Sequence, residues 1–228
     1  MTPASRGPGL ARALMLAALL AGLLAAGAGC QQLAWILNRT FTLFSPEEES
    51  QAEFTFEGKS VLVLVDAQEA ALEGEFPRVE QGVANQVIKM LEERKAAGPI
   101  VPARSVDAAR RVQAGFDKWS IAETGRFFNV DFVLHIQLTH FRIKDTPGSS
   151  VFHGYGETVC QVVETESGKK VWPSLASGRI IRAESVQGTE PEEAPEVETM
   201  MIEGLADKIA RHFFTYRTEE LPLKPKVQ

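Results

Sequence analysis

Apolar and polar positions follow two different periods along the chain, and these periods predict strands that alternate with helices. Residues 59–66 (KSVLVLVD) form a short continuous apolar run, which is typical of a central strand covered on both faces. From Pro77 to Lys95 the apolar residues recur at helical spacing, and Gly98-Pro99 ends this helix. Residues 100–103 (IVPA) predict a second strand, whose proline fits the edge of a sheet or the end of a strand.

Two more helices and two long strands are predicted next. Ser105 should cap a helix that ends at Gly115, and a further helix should begin near Lys118. Residues 130–143 alternate apolar and polar side chains, which predicts a strand with one apolar face and one mostly polar face. The next strand is predicted over residues 151–164.

The last part of the chain completes the sheet and adds a helix. Residues 169–172 should pair with the preceding strand across a turn, and residues 177–187 are the last strand candidate. An acidic loop over 188–195 leads to a helix from about Glu196 to Tyr216. The whole pattern predicts an α/β (α+β) fold with one mixed β-sheet of about five strands, flanking helices and a C-terminal helix.

The first 30 residues have the layout of a bacterial lipoprotein signal. Arg6 and Arg12 supply positive charge, residues 14–24 are apolar, and small residues lead to Cys30. This layout predicts that a diacylglycerol is attached to the Cys30 sulfur and that the mature protein begins there. Gly27 departs from the usual lipobox, in which Leu, Val or Ile is commoner at that position.

Two other interpretations of this segment remain open. An ordinary secretory signal also ends in small residues, and cleavage after Ala28 or Gly29 would release a soluble protein. The apolar run 11–29 is marginally long for a retained membrane helix, which needs about 20 apolar residues. All three interpretations place the rest of the chain outside the cytoplasm. Gln31 and Gln32 replace the aspartate that marks inner-membrane retention in some bacteria, which favours the outer membrane.

These features divide the chain into four predicted parts. They are the signal peptide (1–29), the lipidated N-terminus with an acidic tether (30–56), a globular domain (57–217) and a flexible tail (218–228). Within the second part, residues 33–44 form an apolar strip at near-helical spacing, which either lies in the membrane interface or docks onto the folded domain.

Composition restricts the partners and the redox chemistry. The formal net charge is −6, and it becomes −8 once Arg6 and Arg12 leave with the signal, because no acidic residue precedes Cys30. Phosphate binding needs a basic stripe, which the sequence lacks, so nucleic acid is not predicted as a partner. With Cys30 consumed by lipid, Cys160 is the one thiol left, so no intrachain disulfide can form. We interpret Cys160 as a buried, unreactive thiol.

The histidines do not predict a catalytic, cofactor or metal site. His135 and His140 are an odd number of residues apart, so they point to opposite faces of an unbroken strand. His140 and His153 would face each other across a turn, with Glu157 nearby, and this is the one conceivable metal site among them. Polar decoration of a solvated sheet face is the favoured interpretation; the fourth histidine is His212.

Other clusters allow a structural and a functional interpretation each. The acidic residues that follow the first strand occupy a place where open α/β sheets often bind ligands, although a solvated loop is the favoured interpretation; they are Asp66, Glu69, Glu73 and Glu75. Gly154 and Gly156 mark a bulge or a place where another backbone comes close. Candidate contact surfaces are the aromatic stretch 152–155, Trp172 at the end of the hairpin, and the strand edge at Pro102.

The order of elements resembles a known group of domains. The segments that carry the resemblance follow a lipidated cysteine and an acidic tether, and they read GKSVLVLV, IVPA, VDFVLHIQL and VCQVVETESGKKVW. The order is similar to the α/β domain of small bacterial envelope lipoproteins, including the curli-secretion lipoprotein family, the lipoprotein activators of penicillin-binding proteins and the N-terminal domain of the Tol-Pal translocation protein. The resemblance covers residues 57–173. It implies a non-enzymatic domain that docks other envelope proteins or assembles with itself, and Cys30 is the one functional residue it carries over.

The predicted function is therefore that of a membrane-anchored, non-catalytic adaptor or assembly lipoprotein of the cell envelope. Its partners would be the membrane, through the lipid on Cys30, and envelope proteins or a second copy. The alternative is a periplasmic lipoprotein that binds a small molecule or a cell-wall fragment, with the loop from Asp66 to Pro77 shaping the pocket.

Overall fold

The computed structural model describes residues 49–67, 69–72, 76–146, 149, 151–185 and 194–217. Within these ranges the strands are β1 (Glu49–Ser50), β2 (Val61–Ala67), β3 (Ile100–Val101), β4 (Phe132–Arg142), β5 (Tyr155–Glu164), β6 (Lys170–Trp172), β7 (Arg179–Glu184) and β8 (Tyr216–Arg217). The helices are α1 (Val79–Glu93), α2 (Ala103–Val112), α3 (Ile121–Phe128) and α4 (Ala194–Ala210), and α4 continues into a 3-10 turn at Arg211–Phe213. None of these described helices has the length and apolar character that a membrane crossing requires.

Six of the described strands form one mixed sheet. Its order is β3-β2-β4-β5, and both β6 and β7 pair with the side of β5 that faces away from β4. Strand β2 is parallel to β3 and β4, whereas β5 is antiparallel to β4, β6 and β7. The short strands β1 and β8 pair separately. The predicted mixed sheet with flanking helices and a C-terminal helix is confirmed.

Helices cover both faces of the sheet, and the residues of β2 point alternately into the two cores. Val61, Val63 and Val65 face the larger core, which contains the apolar sides of α1 and α4. Leu62 and Leu64 face a smaller core beneath α2 and α3. The continuous apolar run in this strand is thereby explained, since both of its faces are removed from water.

Helix α2 begins two residues before the predicted cap. Pro102 is the N-cap in extended conformation (φ −61°, ψ 138°), and Ala103 is the first helical residue. Ser105 is therefore inside the first turn, where its N–H donates to the Pro102 carbonyl at 2.9 Å. The prediction was wrong here because β3 runs directly into the helix, and the fixed φ of proline suits that entry.

The long strands are shorter and less regular than predicted. Strand β5 begins at Tyr155 rather than at Val151. Strand β4 keeps the predicted alternation, because Leu134, Ile136 and Leu138 are all buried. Its pairing with β5 shifts register between Leu138 and His140, which marks a β-bulge. This bulge matters for the histidines discussed below.

The folded unit begins before residue 57. Phe56 is fully buried, and its ring stacks on Phe213 at a centroid distance of 5.1 Å. The N–H groups of Glu53 and Phe54 donate to the His212 carbonyl at 2.9 Å and 3.1 Å. Residues 49–56 therefore pack with the end of α4 rather than behaving as a free tether.

Several predicted segments lie outside the described residues. They are the signal peptide, Cys30, the apolar strip 33–44, Glu73, Glu75, most of the acidic loop 188–195 and the tail 218–228.

Candidate functional site

A groove runs along β7 on the side that faces away from β5. Its volume is about 930 Å³, and its walls come from β7, from residues 50–53, from the C-terminal half of α4 and from Tyr216. Among the described residues, β7 pairs with β5 alone, so its second edge borders the groove. An edge strand of this kind presents backbone N–H and C=O groups that another strand can pair with.

The direction of the backbone groups along β7 follows from their contacts. The Ser185 N–H donates to the Gly154 carbonyl on the β5 side at 2.9 Å. The Arg182 carbonyl instead accepts a hydrogen bond from Nζ of Lys208 on α4, at 2.7 Å. Since alternate residues of a strand direct their backbone groups to opposite edges, Ile180, Arg182 and Glu184 direct theirs toward the groove.

Positive charge is in excess along the groove. Four cationic side chains line it, against the two carboxylates of Glu53 and Asp207; the cations are Arg179, Arg182, Lys208 and Arg211. Three of them are ion-paired within the chain, Arg179 with Glu53, Arg182 with Glu157 and Arg211 with Asp207, whereas the Lys208 ammonium bonds a backbone carbonyl. The whole chain has a net charge of −6, so the groove departs from the charge of the molecule that carries it. A cationic cleft of this kind attracts acidic groups.

Glu53 orders one end of the groove. Its carboxylate accepts hydrogen bonds from Arg179 at 2.8 Å and from the Trp172 indole at 3.3 Å. It also lies 3.0 Å from Nδ1 of His212. Burial lowers the pKa of His212, the charge of Arg179 lowers it further, and the Glu53 carboxylate opposes both without reversing the direction.

Residues on the polar face of the sheet hold the Arg182 side chain in place. Its Nε donates to Glu157 at 2.6 Å, and the Tyr155 hydroxyl donates to the same carboxylate oxygen at 3.0 Å. The hydrogen bond from Arg182 is the main cause that lowers the pKa of Glu157, against the opposing effect of burial. Thr139 adds a third hydrogen bond to this carboxylate at 3.2 Å.

Apolar surface lies beside these charges. The side chain of Ile180 is 48% exposed, and Leu175, on the loop before β7, is 57% exposed. Lys170 orders that loop, because its ammonium donates to the Leu175 and Ala176 carbonyls. The groove thus combines open backbone, fixed charge and exposed apolar side chains, which is the composition of a protein-binding surface.

The sequence patterns did not predict this groove, although they predicted contact roles for other residues. The pairs that build it are far apart in the chain, as between Glu53 and Arg179, and no local pattern encodes them. The available signal was the clustering of basic residues at 208–211 in an acidic chain, next to the predicted last strand.

The predicted acidic cluster is mostly a closed network. Arg110 donates to Asp66, to Glu80 at 2.9 Å and to the Val65 carbonyl at 2.8 Å. Nε2 of His135 lies 2.9 Å from the Asp66 carboxylate. Burial would raise the pKa of Asp66, but the hydrogen bond from His135 and the charges of His135 and Arg110 hold it below its usual value. Asp66 is therefore engaged with other residues of the chain.

The four histidines are separated by the fold. The register places Glu157, not His153, opposite His140. His153 bonds to Asp145 at 2.9 Å, so the predicted facing pair of His140 and His153 is wrong. The predicted placement of His135 and His140 on opposite faces requires an unbroken strand, whereas the bulge interrupts β4 between these two residues. The residues that the structure describes contain no group of three or more potential metal ligands.

Cys160 is fully buried in the larger core. Burial raises the pKa of its thiol to about 12, and contact with the Thr158 hydroxyl at 3.5 Å offsets only part of that effect. The predicted burial of Cys160 is confirmed, and its low reactivity stays a prediction, which the raised pKa supports.

The predicted aromatic contact surface belongs to the core. Phe152 is 2% exposed and Trp172 is 5% exposed. The Trp172 ring packs on Phe213 at 5.1 Å and on His212 at 5.4 Å. Their aromatic surface is used in folding and is not available to a partner. The edge at Pro102 is confirmed as an edge, but β3 has only two residues.

A second, polar cleft lies at the N-terminal ends of β2 and β4. It has a volume of about 290 Å³ and lies between Lys59, Arg126 and Glu164. Asp131 at its margin accepts hydrogen bonds from the Ser60 N–H at 2.8 Å and the Ser60 hydroxyl at 2.7 Å, and these bonds lower its pKa. This cleft is far from the 66–77 loop that the sequence suggested as a pocket, because it lies at the other ends of β2 and β4.

Comparison with solved structures shows distant structural similarity to bacterial envelope lipoproteins. The PelC dodecamer from Paraburkholderia phytofirmans is 15% identical, covers 73% of this chain and 96% of its own, and has a TM-score of 0.41. Lipoprotein GNA1162 from Neisseria meningitidis is 15% identical, covers 65% of this chain and 99% of its own, and has a TM-score of 0.42. A minor lipoprotein from Acinetobacter baumannii is 11% identical, covers 68% and 91%, and has a TM-score of 0.37.

No protein-family model matches the chain, and no curated protein matches it. The resemblance to the curli-secretion, penicillin-binding-protein activator and Tol-Pal domains stays a prediction.

Proposed function

We propose that this protein is a membrane-anchored, non-catalytic lipoprotein of the cell envelope that serves as an adaptor or assembly component. It docks other envelope proteins or associates with itself. The observation that carries this proposal is the groove beside β7, where an open strand edge, four cationic side chains and exposed apolar side chains meet. These features are suited to recognition of a protein chain rather than to a chemical reaction.

The anchor is the lipid on Cys30, as the signal sequence predicts. Eighteen residues separate Cys30 from Glu49, where β1 begins, so even a fully extended connection spans at most about 65 Å. Anchoring within this distance raises the local concentration of the domain near the membrane surface. Binding to another anchored protein then requires less intrinsic affinity.

The proposal is tested by chemical crosslinking in intact cells, followed by mass spectrometry of the proteins that copurify. The full-length chain is compared with the Cys30→Ala variant. We expect one abundant crosslinked species with the parent chain, and we expect Cys30→Ala to move from the membrane fraction to the soluble fraction and lose most of that species. A folded, membrane-bound parent chain that crosslinks to no protein would contradict the docking role. Retention of Cys30→Ala in the membrane would contradict the lipid anchor.

The alternative function, binding of a small molecule or cell-wall fragment at the 66–77 loop, gains no support from the described part of that loop. Asp66 is held by Arg110 and His135, and the Ala67 N–H is bonded to Glu80 at 2.5 Å. The polar groups that would have to receive a ligand are already satisfied within the chain.

A further inference from the structure

We propose that the groove beside β7 binds an extended, acidic segment of a partner protein by β-strand addition. The inference deepens the proposed docking function and rests on it. It names the surface, the mode of binding and the chemistry of the partner. Three separate properties of the groove support it: its backbone groups, its charge and its apolar margin.

The backbone of β7 supplies the template. Ile180, Arg182 and Glu184 direct their N–H and C=O groups into the groove, as the contacts of the neighbouring residues require. In the free protein, the Lys208 ammonium bonds the Arg182 carbonyl at 2.7 Å. An added strand would donate its own N–H to that carbonyl and release the ammonium for another acceptor.

The charge of the groove selects an acidic partner. Lys208, once displaced from the carbonyl, needs an anionic acceptor, because the nearby Arg211 already holds the Asp207 carboxylate at 2.7 Å. A carboxylate on the added strand provides that acceptor. A second copy of β7 would instead bring a second Lys208 to the shared edge, and repulsion between the two ammonium groups disfavours self-pairing.

The apolar margin defines the pattern of the partner sequence. Ile181 and Ala183 are buried, whereas Ile180 is 48% exposed on the opposite face of the sheet. Successive side chains of an added strand would alternate between these faces, so one set meets Lys208 and the other meets Ile180. The partner segment is therefore an extended stretch in which acidic and apolar residues alternate.

A different role for Lys208 predicts the opposite behaviour. Lysine on a strand edge often prevents edge-to-edge aggregation. If Lys208 only protects the edge, its removal should increase association along β7. If it recognises an acidic strand, reversal of its charge should abolish binding.

The experiment places a photoreactive amino acid at Leu175 in the full-length, lipidated chain in its native host. Leu175 lines the groove and is well exposed. Captured peptides are sequenced by mass spectrometry in the parent and in Lys208→Glu. The matched control is Lys89→Glu, which makes the same charge change at an exposed position of α1. A second pair of variants tests the backbone of β7. Ile180→Pro removes the N–H that points into the groove, whereas Ile180→Thr keeps it, and proline is tolerated on a strand edge.

We expect the captured peptide to contain more Asp and Glu than Lys and Arg. Its yield should fall at least tenfold in Lys208→Glu and Ile180→Pro, and it should stay within twofold of the parent in Lys89→Glu and Ile180→Thr. Circular dichroism of each variant verifies that the domain is folded. If Ile180→Pro does not fold, the comparison of Lys208→Glu with Lys89→Glu tests the inference.

Three results would overturn the inference: a captured peptide that is neutral or basic, a peptide from a second copy of this chain, or a yield that does not fall in Lys208→Glu. A partner found by whole-cell crosslinking but attached elsewhere on the domain would leave the docking function standing and remove only this inference. Absence of any protein partner in both experiments would remove the docking function as well.

Discussion

Two glycines around the start of β5 show how single residues determine the packing of a helix on the sheet. A Cβ atom at Gly154 would lie 2.4 Å from the Met201 side chain, and one at Gly156 would lie 2.6 Å from Leu205. Residues two apart in an extended chain are separated by about 6.6 Å, which is close to the rise of about 6 Å between residues four apart in a helix. The two glycines therefore leave room for the side chains of Met201 and Leu205, which lie on successive turns of α4. The sequence suggested approach of another backbone, whereas helix side chains make the approach.

Substitution of Gly156 by Ala tests this packing. The added methyl group would overlap the fully buried Leu205, so we expect the free energy of unfolding to fall by about 1–3 kcal/mol. Gly204→Ala is the matched control, because a Cβ there meets Ala183 at an ordinary 3.7 Å inside a helix. That change should raise the free energy of unfolding by about 0.5–1 kcal/mol. Equilibrium urea unfolding measures both, and equal effects of the two changes would contradict the packing argument.

At the scale of elements, the start of α3 was predicted near Lys118, three residues before the first helical residue observed, Ile121. Helix α3 begins after Ser120, whose hydroxyl accepts from the Glu123 N–H at 3.2 Å while the Glu123 carboxylate accepts from the Ser120 N–H at 2.7 Å. This reciprocal capping box also lowers the pKa of Glu123, mainly through the backbone hydrogen bond. Helix α2 has no side-chain cap hydrogen bond at Pro102, and its cap was predicted at Ser105, three residues after the observed one.

Ser120→Ala should remove the capping box of α3 and lower the free energy of unfolding by about 1 kcal/mol. Ser105→Ala is the control: Ser105 was expected to cap α2 but lies within its first turn. We expect that change to be neutral or slightly stabilising, because alanine has the higher helix propensity. Thermal and urea unfolding would measure both variants. If Ser105→Ala lowered the free energy of unfolding as much as Ser120→Ala, the prediction that Ser105 caps α2 would have been correct.

The bulge in β4 is an element-scale feature that the sequence did not reveal. The register with β5 is regular from Phe132 to Leu138 and resumes one residue out of step at His140. Since side chains alternate with a period of two, a single inserted residue changes which face every later side chain occupies. The apolar positions buried in the larger core move from even numbers up to Leu138 to an odd number at Phe141, which is consistent with this insertion, and the pairing with β5 locates the extra residue.

At the scale of the whole molecule, the two ends of the described chain are joined through His212. Its carbonyl accepts from Glu53 and Phe54, and its ring packs on Trp172. Contacts between residues more than 100 positions apart thus hold residues 49–56, the β6 region and the end of α4 together. This junction forms one end of the groove, so its stability and the shape of the groove are linked.

The lowered pKa of His212 predicts a loss of stability at mildly acidic pH. The unfolded chain takes up a proton on this histidine near pH 6.5, whereas the folded chain does so at lower pH, because burial disfavours the imidazolium. The free energy of unfolding should therefore fall as the pH decreases from about 7 toward 5. The pKa values of Asp66 and Glu157 are also lowered, so protonation of these two carboxylates should reduce the free energy of unfolding further only below about pH 4.5.

His212→Gln should make the free energy of unfolding less dependent on pH between about 7 and 5. Urea unfolding at several pH values measures the slope. His140→Gln, a change of the same kind at an exposed ring, provides the comparison. An unchanged slope in His212→Gln, or an equal change in both variants, would show that burial of His212 does not control this pH dependence.

The sequence by itself determined the elements and their order. The apolar run of β2, the alternation of β4, the helical stripes of α1 and α4 and the burial of Cys160 depend on local periodicity and side-chain polarity, which neighbouring residues specify. The lipobox at Cys30 is likewise a local pattern, and its lipidation stays a prediction. Only the tertiary structure decided which edge of the sheet is open, where the bulge lies and which charges meet. Those features depend on pairs such as Glu53 with Arg179 and the Arg182 carbonyl with the Lys208 ammonium, whose members come together only when the strands and α4 pack.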